Sequence, residues 1–173
     1  MKWLAALLLI AAPAVAQAQT VTIARGEAVT LTQDDGGVWG VDRKAAPDAT
    51  PDEASTAAKF VRGDMNDAVG PNVKPIPADP NAPPPMPQKG KLRLHFVKTP
   101  GADQSMLVIE NGYDRGMVYR ATIRVGDRSG STDVCLVMPG RLGYEHWPYA
   151  IDALVLSDIR LVPWKDGDPV PCE

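Results

Sequence analysis

The sequence predicts an all-β fold, an antiparallel β-sandwich of the immunoglobulin-like kind with one short helix and a proline-rich connecting segment. Three observations lead to this prediction: short runs of β-type residues recur along the chain, apolar and polar side chains alternate within several of them, and glycine-containing turns separate them. The runs number about eight, which is a typical strand count for a sandwich.

Residues 1–18 predict a secretory signal peptide. Lys2 precedes an apolar run over residues 3–12, and small-x-small cleavage sites end at Ala16 and Ala18. The run is too short to span a bilayer, which takes ~20 apolar residues, so we expect no transmembrane anchor after cleavage. No cysteine follows the cleavage sites, so we also expect no lipid anchor. The expected location is the periplasm, with the extracellular medium as the alternative.

Residues 19–42 predict a group of N-terminal strands. Three β-type runs cover residues 20–24, 28–33 and 38–42. The last two flank Asp34-Asp35-Gly36-Gly37, whose glycines can adopt the positive φ of a hairpin loop.

Residues 43–89 predict an alanine- and proline-rich linker with a possible short helix. Proline and acidic residues at positions 51–53 are typical of a first helical turn, and the helix could continue to Arg62. Eight prolines then fall among residues 71–87. Such a stretch supports neither a helix nor a sheet ladder, so we expect an extended connection over the surface.

Residues 90–173 predict the main β-domain, with turn residues between its strands. The predicted strands cover residues 91–98, 105–110, 117–125, 132–138 and 153–162. This domain also contains Cys135 and Cys172, which we expect to form a disulfide outside the cytoplasm. By the chain-entropy model that bond would stabilise the fold by about 3 to 4 kcal/mol.

Composition and motifs exclude several classes of function. Without Lys2, 17 basic side chains remain against 21 acidic ones, whereas nucleic-acid-binding domains and polybasic membrane binders carry clear basic clusters. We therefore expect no nucleic-acid partner. Zinc, nucleophile-elbow, phosphate-loop and dinucleotide motifs are missing, and His95 and His146 are too few for a histidine-rich metal site. We predict no metal, no cofactor and no catalytic residue.

Alternation within two predicted strands suggests a cationic surface. Successive side chains of a strand point to opposite faces, and basic residues fall on the polar face of both residues 91–98 and residues 117–125. If the two strands share a sheet, this face could hold an anionic glycan or an acidic protein patch; otherwise it is an ordinary solvated face. The face would consist of Arg93, His95, Arg120 and Arg124, with Glu110 as a cross-strand partner.

A cluster of aromatic residues lies between two predicted strands, which indicates a binding loop. Aromatic rings on a connection supply contact area at low entropic cost, and a carbohydrate is one plausible ligand. The alternative is a loop that folds its rings back as a lid over one end of the sandwich. The cluster consists of Tyr144, Glu145, His146, Trp147 and Tyr149.

Three hypotheses about function follow from the sequence. The favoured one is a non-catalytic envelope or secreted protein that binds a protein or a glycan. The second is a structural or assembly component of the cell envelope, whose proline-rich segment and sheet edges engage other chains. The third is a small hydrolase-type enzyme without a recognisable motif, using Glu145, His146, Asp152 or the cationic face.

Overall fold

The computed structural model describes residues 19–63, 76–83 and 85–172. The predicted signal peptide and much of the proline-rich segment lie outside the described residues. The described part contains one helix and nine strands: β1 Val21–Ala24, β2 Glu27–Gln33, β3 Trp39–Ala45, α1 Pro51–Arg62, β4 Leu92–Lys98, β5 Ser105–Asn111, β6 Gly116–Val125, β7 Arg128–Thr132, β8 Leu142–Trp147 and β9 Ala153–Val162.

The strands form two antiparallel sheets that pack face to face, so the predicted all-β sandwich is confirmed. The four-stranded sheet has the order β1-β9-β6-β7, and the five-stranded sheet has the order β3-β2-β4-β5-β8. An immunoglobulin domain pairs its first two strands, whereas here β1 pairs with β9 and β2 pairs with β4. The three N-terminal strands, β1 to β3, are therefore built into the same two sheets as the strands that follow Gly90.

Alternation places the core between the two sheets. Leu92, Leu94 and Phe96 of β4 are buried against the four-stranded sheet, which contributes Met117 and Tyr119 from β6. These are the faces that the sequence pattern predicts as apolar. The polar positions of the same two strands lie on the outer faces of different sheets. The predicted cationic surface is therefore divided between the two sheets.

The predicted helix is confirmed as α1, and its ends follow local sequence signals. The Thr50 hydroxyl accepts from the Glu53 N–H, the Glu53 carboxylate accepts from the Thr50 N–H, and Pro51 occupies the first turn. Gly63 ends the helix with φ of 69°. The apolar side of α1 packs on the outer face of the five-stranded sheet in a cluster of Ala57, Phe60, Val97, Met106, Val108 and Tyr144.

The described part of the proline-rich segment forms neither helix nor strand. It begins against α1, where the Ile76 N–H donates to the Thr56 hydroxyl at 2.9 Å and the Ala78 N–H donates to Asp52 at 2.7 Å. These contacts place residues 76–78 against the helix.

The predicted strand over residues 132–138 is wrong. Continuous pairing with β6 ends at Thr132, and the chain beyond it keeps one isolated bridge to β6, between Val137 and Met117. Val134, Leu136 and Val137 of this segment are buried. This approach needs small neighbours: a Cβ on Gly143 would lie 2.8 Å from the Val137 side chain. The alternating apolar residues of this segment therefore close the side of the sandwich instead of forming a strand.

The predicted disulfide is present between Cys135 and Cys172. The Leu136 N–H also donates to the Pro171 carbonyl at 2.9 Å, so the C-terminal tail is tied to the segment that closes the side of the sandwich. Across the three described ranges, no helix combines the length and apolar character needed to cross a membrane.

Candidate functional site

The predicted aromatic loop is a strand for most of its length, which corrects the sequence-based interpretation. Residues 142–147 form β8, an edge of the five-stranded sheet that pairs with β5. Strand alternation then separates the cluster, because Tyr144 and His146 face α1 while Glu145 and Trp147 face the core. Tyr149, beyond the strand, is the member with a largely open side chain, at 44% exposure.

Trp147 is a core residue with a satisfied polar atom. Its side chain is 6% exposed, and its ring meets Phe96 edge to face at a centroid distance of 6.3 Å. The indole N–H donates to the Thr132 hydroxyl at 3.1 Å, which links β8 to β7 of the other sheet. The ring therefore closes the end of the core and is not available to a ligand.

The predicted single cationic face does not form, because β4 and β6 belong to different sheets. Arg93 is the cross-strand neighbour of Glu110 and forms an ion pair with it on the five-stranded sheet. Arg120 lies on the four-stranded sheet and pairs with Asp158 at 3.6 Å. Arg124 lies on that same outer face, so the four predicted cations are divided between two surfaces.

His95 lies beneath α1, where it is buried and hydrogen-bonded to Glu53. His95 is 1% exposed, its Nδ1 is 2.8 Å from Glu53 Oε1, and its Nε2 is 2.9 Å from the Ala46 carbonyl oxygen. Burial would raise the pKa of the Glu53 carboxyl, but hydrogen bonds from His95 and Thr50 and the charges of His95 and Arg93 hold it below the usual value. A carboxylate and a carbonyl oxygen therefore lie within hydrogen-bond distance of the two ring nitrogens.

His146 and Tyr144 also fill the space under the helix. The His146 ring stacks on Phe60 at a centroid distance of 4.9 Å, and its Nε2 lies 2.9 Å from Gln104 Oε1. Burial lowers the pKa of His146, which favours the neutral ring, and burial raises the pKa of Tyr144 to about 12. Both side chains serve helix packing.

Glu145 is a carboxyl group placed in the core of the sandwich. It is 3% exposed, and the Tyr119 hydroxyl, at 3.2 Å, and the Cys135 N–H both donate to it. Burial raises its pKa to about 8, even though these two donors favour the charged form. At neutral pH the group is therefore mostly an uncharged acid enclosed beside the disulfide.

The open aromatic residue marks a groove at one end of the sandwich. The groove lies on the inner face of the β6–β7 hairpin, faces the β8–β9 connection and has a volume of about 380 Å³. We call it the Tyr149 groove; its lining residues are Ile123, Val125, Arg128, Ser129, Gly130, Tyr149 and Ala150. Apart from Tyr149, the sequence-based reasoning missed these residues, because the groove is created by the packing of two distant connections.

A larger and more polar cleft lies at the opposite end of β6, next to the β2–β3 hairpin. Its volume is about 650 Å³, and it is lined by Asp34, Asp35, Trp39, Arg115 and Asp158 among others. Several of these groups already have partners within the chain. Asp34 accepts from the Val38 N–H at 2.8 Å, and Arg115 donates to Gln33 at 3.2 Å.

Comparison of the chain with protein-family models, curated proteins and solved structures finds no significant match to any of them. Within the described residues, no group of three or more His, Cys, Asp or Glu side chains is placed to hold a metal ion. The candidate site is therefore defined by geometry, as the Tyr149 groove.

Replacing Trp147 with alanine should lower the free energy of unfolding by about 3–5 kcal/mol, because a large cavity would remain in the core. Urea denaturation at neutral pH measures this change. Arg124→Ala is the control and should cost less than about 1 kcal/mol, as is usual for an exposed side chain. An equally small change for Trp147→Ala would contradict a core role for the ring.

Glu53→Gln should lower stability by about 1–3 kcal/mol at pH 7, because it removes the carboxylate that bonds the buried Nδ1 of His95. The pKa of Glu53 is below 4.5 in the folded protein, so its contribution is present above that pH and is lost as the pH falls further. Melting curves from pH 3 to 7 should show this acid loss in the natural chain and little of it in the variant. Asp103→Asn, at an exposed pair with Lys98, should change stability by less than about 1 kcal/mol.

The stability contribution of Glu145 should have the opposite pH dependence. A carboxyl whose pKa rises from 4.5 to about 8 on folding binds its proton more tightly in the folded state. Stability is therefore greatest below the unfolded value and falls as the pH rises toward 8. Glu145→Gln stays neutral and should gain about 3 kcal/mol relative to the natural chain between pH 5 and pH 7. A difference that is independent of pH in urea titrations would contradict a protonated Glu145.

Proposed function

We propose that this chain is an exported, non-catalytic binding protein that recognises a protein partner through the Tyr149 groove. The observation that carries the proposal is the groove itself, in which an apolar floor of Ile123 and Val125 lies open to solvent beside an exposed tyrosine ring. Its volume of about 380 Å³ falls in the range of ligand sites, about 300–1,000 Å³. Tyrosine is a common anchor at protein interfaces, because its rigid ring loses little entropy on contact.

Gly130 supports this proposal because it keeps the groove open. A Cβ added at Gly130 would meet no atom within 4 Å, and its φ lies outside the positive region. The backbone at this position therefore accepts other residues, and a larger side chain would fill the space that we assign to the partner. This property supplies a direct way to block the groove without disturbing the fold.

Export is supported by the predicted signal peptide and by the disulfide between Cys135 and Cys172, since structural disulfides persist in oxidising compartments. We propose the periplasm as the place of action, with the extracellular medium as the alternative. A non-catalytic role is favoured over the enzyme hypothesis because both histidines are engaged under α1. His95 is enclosed with Glu53, and His146 stacks on Phe60.

A glycan is the second candidate ligand, and the polar cleft beside the β2–β3 hairpin is the observation that favours it. Carboxylates, the two arginines Arg115 and Arg160, and Trp39 line this cleft, a mixture suited to hydrogen bonding with a polar ligand. Some of its polar groups already have hydrogen-bond partners within the chain, since Asp34 accepts from the Val38 N–H and Arg115 donates to Gln33. The Tyr149 groove is therefore the primary site.

The test compares capture of envelope proteins by immobilised variants of the mature chain. Gly130→Leu and Tyr149→Ala should each weaken capture of a specific partner by roughly tenfold or more, because a buried apolar contact is worth about 1.5–3 kcal/mol. Ser131→Leu is the matched control, since it adds the same bulk to the outer face of β7. Capture that is equal for all variants would overturn the groove as the binding site.

A further inference from the structure

We infer that β7 is a strand-addition edge, at which an extended segment of the partner protein joins the four-stranded sheet and places alternate side chains in the Tyr149 groove. The inference rests on the proposed function and names the form and chemistry of its partner. It would make the recognition partly a backbone interaction, in which main-chain hydrogen bonds supply affinity and the groove supplies specificity.

The first argument comes from a comparison of the four edge strands in the described structure. Exposed edges invite pairing with other chains, and proteins protect them by shortness, charge or cover. The edge β1 has only four residues, the edge β3 carries Asp42, Arg43 and Lys44, and the edge β8 is mostly buried beside residues 134–138. The strand β7, with the sequence Arg-Ser-Gly-Ser-Thr, is exposed over four of its five residues, and its single charged residue, Arg128, lies at the end next to the hairpin loop.

The second argument comes from the direction of the backbone groups. The β6–β7 hairpin pairs Val125 with Arg128 and Ile123 with Gly130 across a two-residue loop. In such a hairpin the pair next to the loop exchanges hydrogen bonds, and every second pair after it does the same. The N–H and C=O groups of Ser129 and Ser131 therefore point away from β6, toward the free edge. They offer two donors and two acceptors to an added strand.

The third argument comes from the side chains on the inner face. Gly130 has no side chain, so the groove continues across β7 to its free edge. A strand added about 4.7–4.9 Å away would point every second side chain into this space, beside Tyr149. An apolar residue fits there, because Ile123 and Val125 form the floor.

Charge defines the rest of the partner segment. Arg128 points to the same inner side two residues from Gly130, and in the described structure its guanidinium group has no hydrogen bond or ion pair. An acidic residue two positions from the apolar one would meet this charge.

A second copy of β7 does not supply such an acidic residue. If it paired symmetrically about Gly130, Thr132 of the second copy would lie opposite Arg128, and threonine has no carboxylate. We therefore assign the edge to a different protein with an apolar-x-acidic pattern in an extended segment.

The test uses a short fluorescein-labelled peptide in which valine alternates with threonine and one aspartate replaces a valine, with binding measured by fluorescence anisotropy. Ser131→Pro removes an outward N–H and leaves the bonds between β6 and β7, because proline is tolerated where the strand N–H faces solvent. It should weaken peptide binding by roughly tenfold or more. Ser131→Leu keeps the N–H and should bind like the natural chain.

A peptide with N-methyl groups on the amides that face β7 provides an arm that does not depend on any variant folding. It should bind roughly tenfold more weakly than the unmodified peptide, whereas methylation of the opposite amides should have little effect. Failure of the natural chain to bind the peptide would overturn strand addition. Strand addition would also be overturned if Ser131→Pro bound the unmodified peptide as tightly as the natural chain does and the natural chain bound the N-methyl peptide equally tightly. Self-association of the chain through β7, abolished by Ser131→Pro, would also overturn it.

The outcomes separate this inference from the proposed function. If Gly130→Leu abolishes partner capture while Ser131→Pro does not, the Tyr149 groove binds its partner without strand addition. If neither variant affects capture, the groove itself is the wrong site and the inference fails with it.

Discussion

The carboxylate of Glu53 is the contact on which the asymmetry of this sandwich depends. It accepts a hydrogen bond from the Thr50 N–H at the start of α1 and is also hydrogen-bonded to His95 Nδ1 on β4. Local helix formation and docking onto the sheet therefore share one side chain. The outer face beneath α1 includes Val97, Met106 and Val108, apolar residues whose exposure to water would be unfavourable. The five-stranded sheet thus requires the helix, and Glu53 sets where the helix lies.

This cover determines which surfaces remain for binding. The five-stranded sheet is buried against the core on one face and under α1 on a large part of the other, and its β8 edge is flanked by the segment that leads to the disulfide. The four-stranded sheet keeps an outer face of serine, threonine and arginine residues and a hairpin whose inner face is only partly filled. Tyr149 and Gly130 meet at that hairpin. The open groove and the exposed β7 edge lie together there, which is why we propose one location for both partner binding and strand addition.

Local patterns were sufficient for elements whose signals come from neighbouring residues. Pro51 and the acidic first turn located α1, the Asp-Asp-Gly-Gly loop located the first hairpin, and alternation in β4 and β6 identified the core faces. Pairing partners could not be predicted, because sheet membership is decided by distant contacts; this is why Arg93 and Arg120 were placed on one surface. The strand β8 was missed because Glu145 occupies an inward position where the pattern expects an apolar residue. The apolar residues 134–138 alternate like a strand but serve as a packed segment.

Two buried carboxyl groups on opposite sides of the five-stranded sheet, Glu53 of α1 and Glu145 of β8, have opposite protonation states, and the difference lies in what surrounds them. Glu53 forms hydrogen bonds with His95 and the Thr50 N–H and lies beside the Arg93 guanidinium group, so its charge is retained despite burial, whereas Glu145 has only a hydroxyl and one backbone N–H as donors and holds its proton. The first limits stability on the acid side and the second on the alkaline side. The Tyr149 groove contains neither group, and its one charged lining residue is Arg128. The pH dependence that these two carboxyl groups confer therefore acts on the stability of the fold and not directly on the groove.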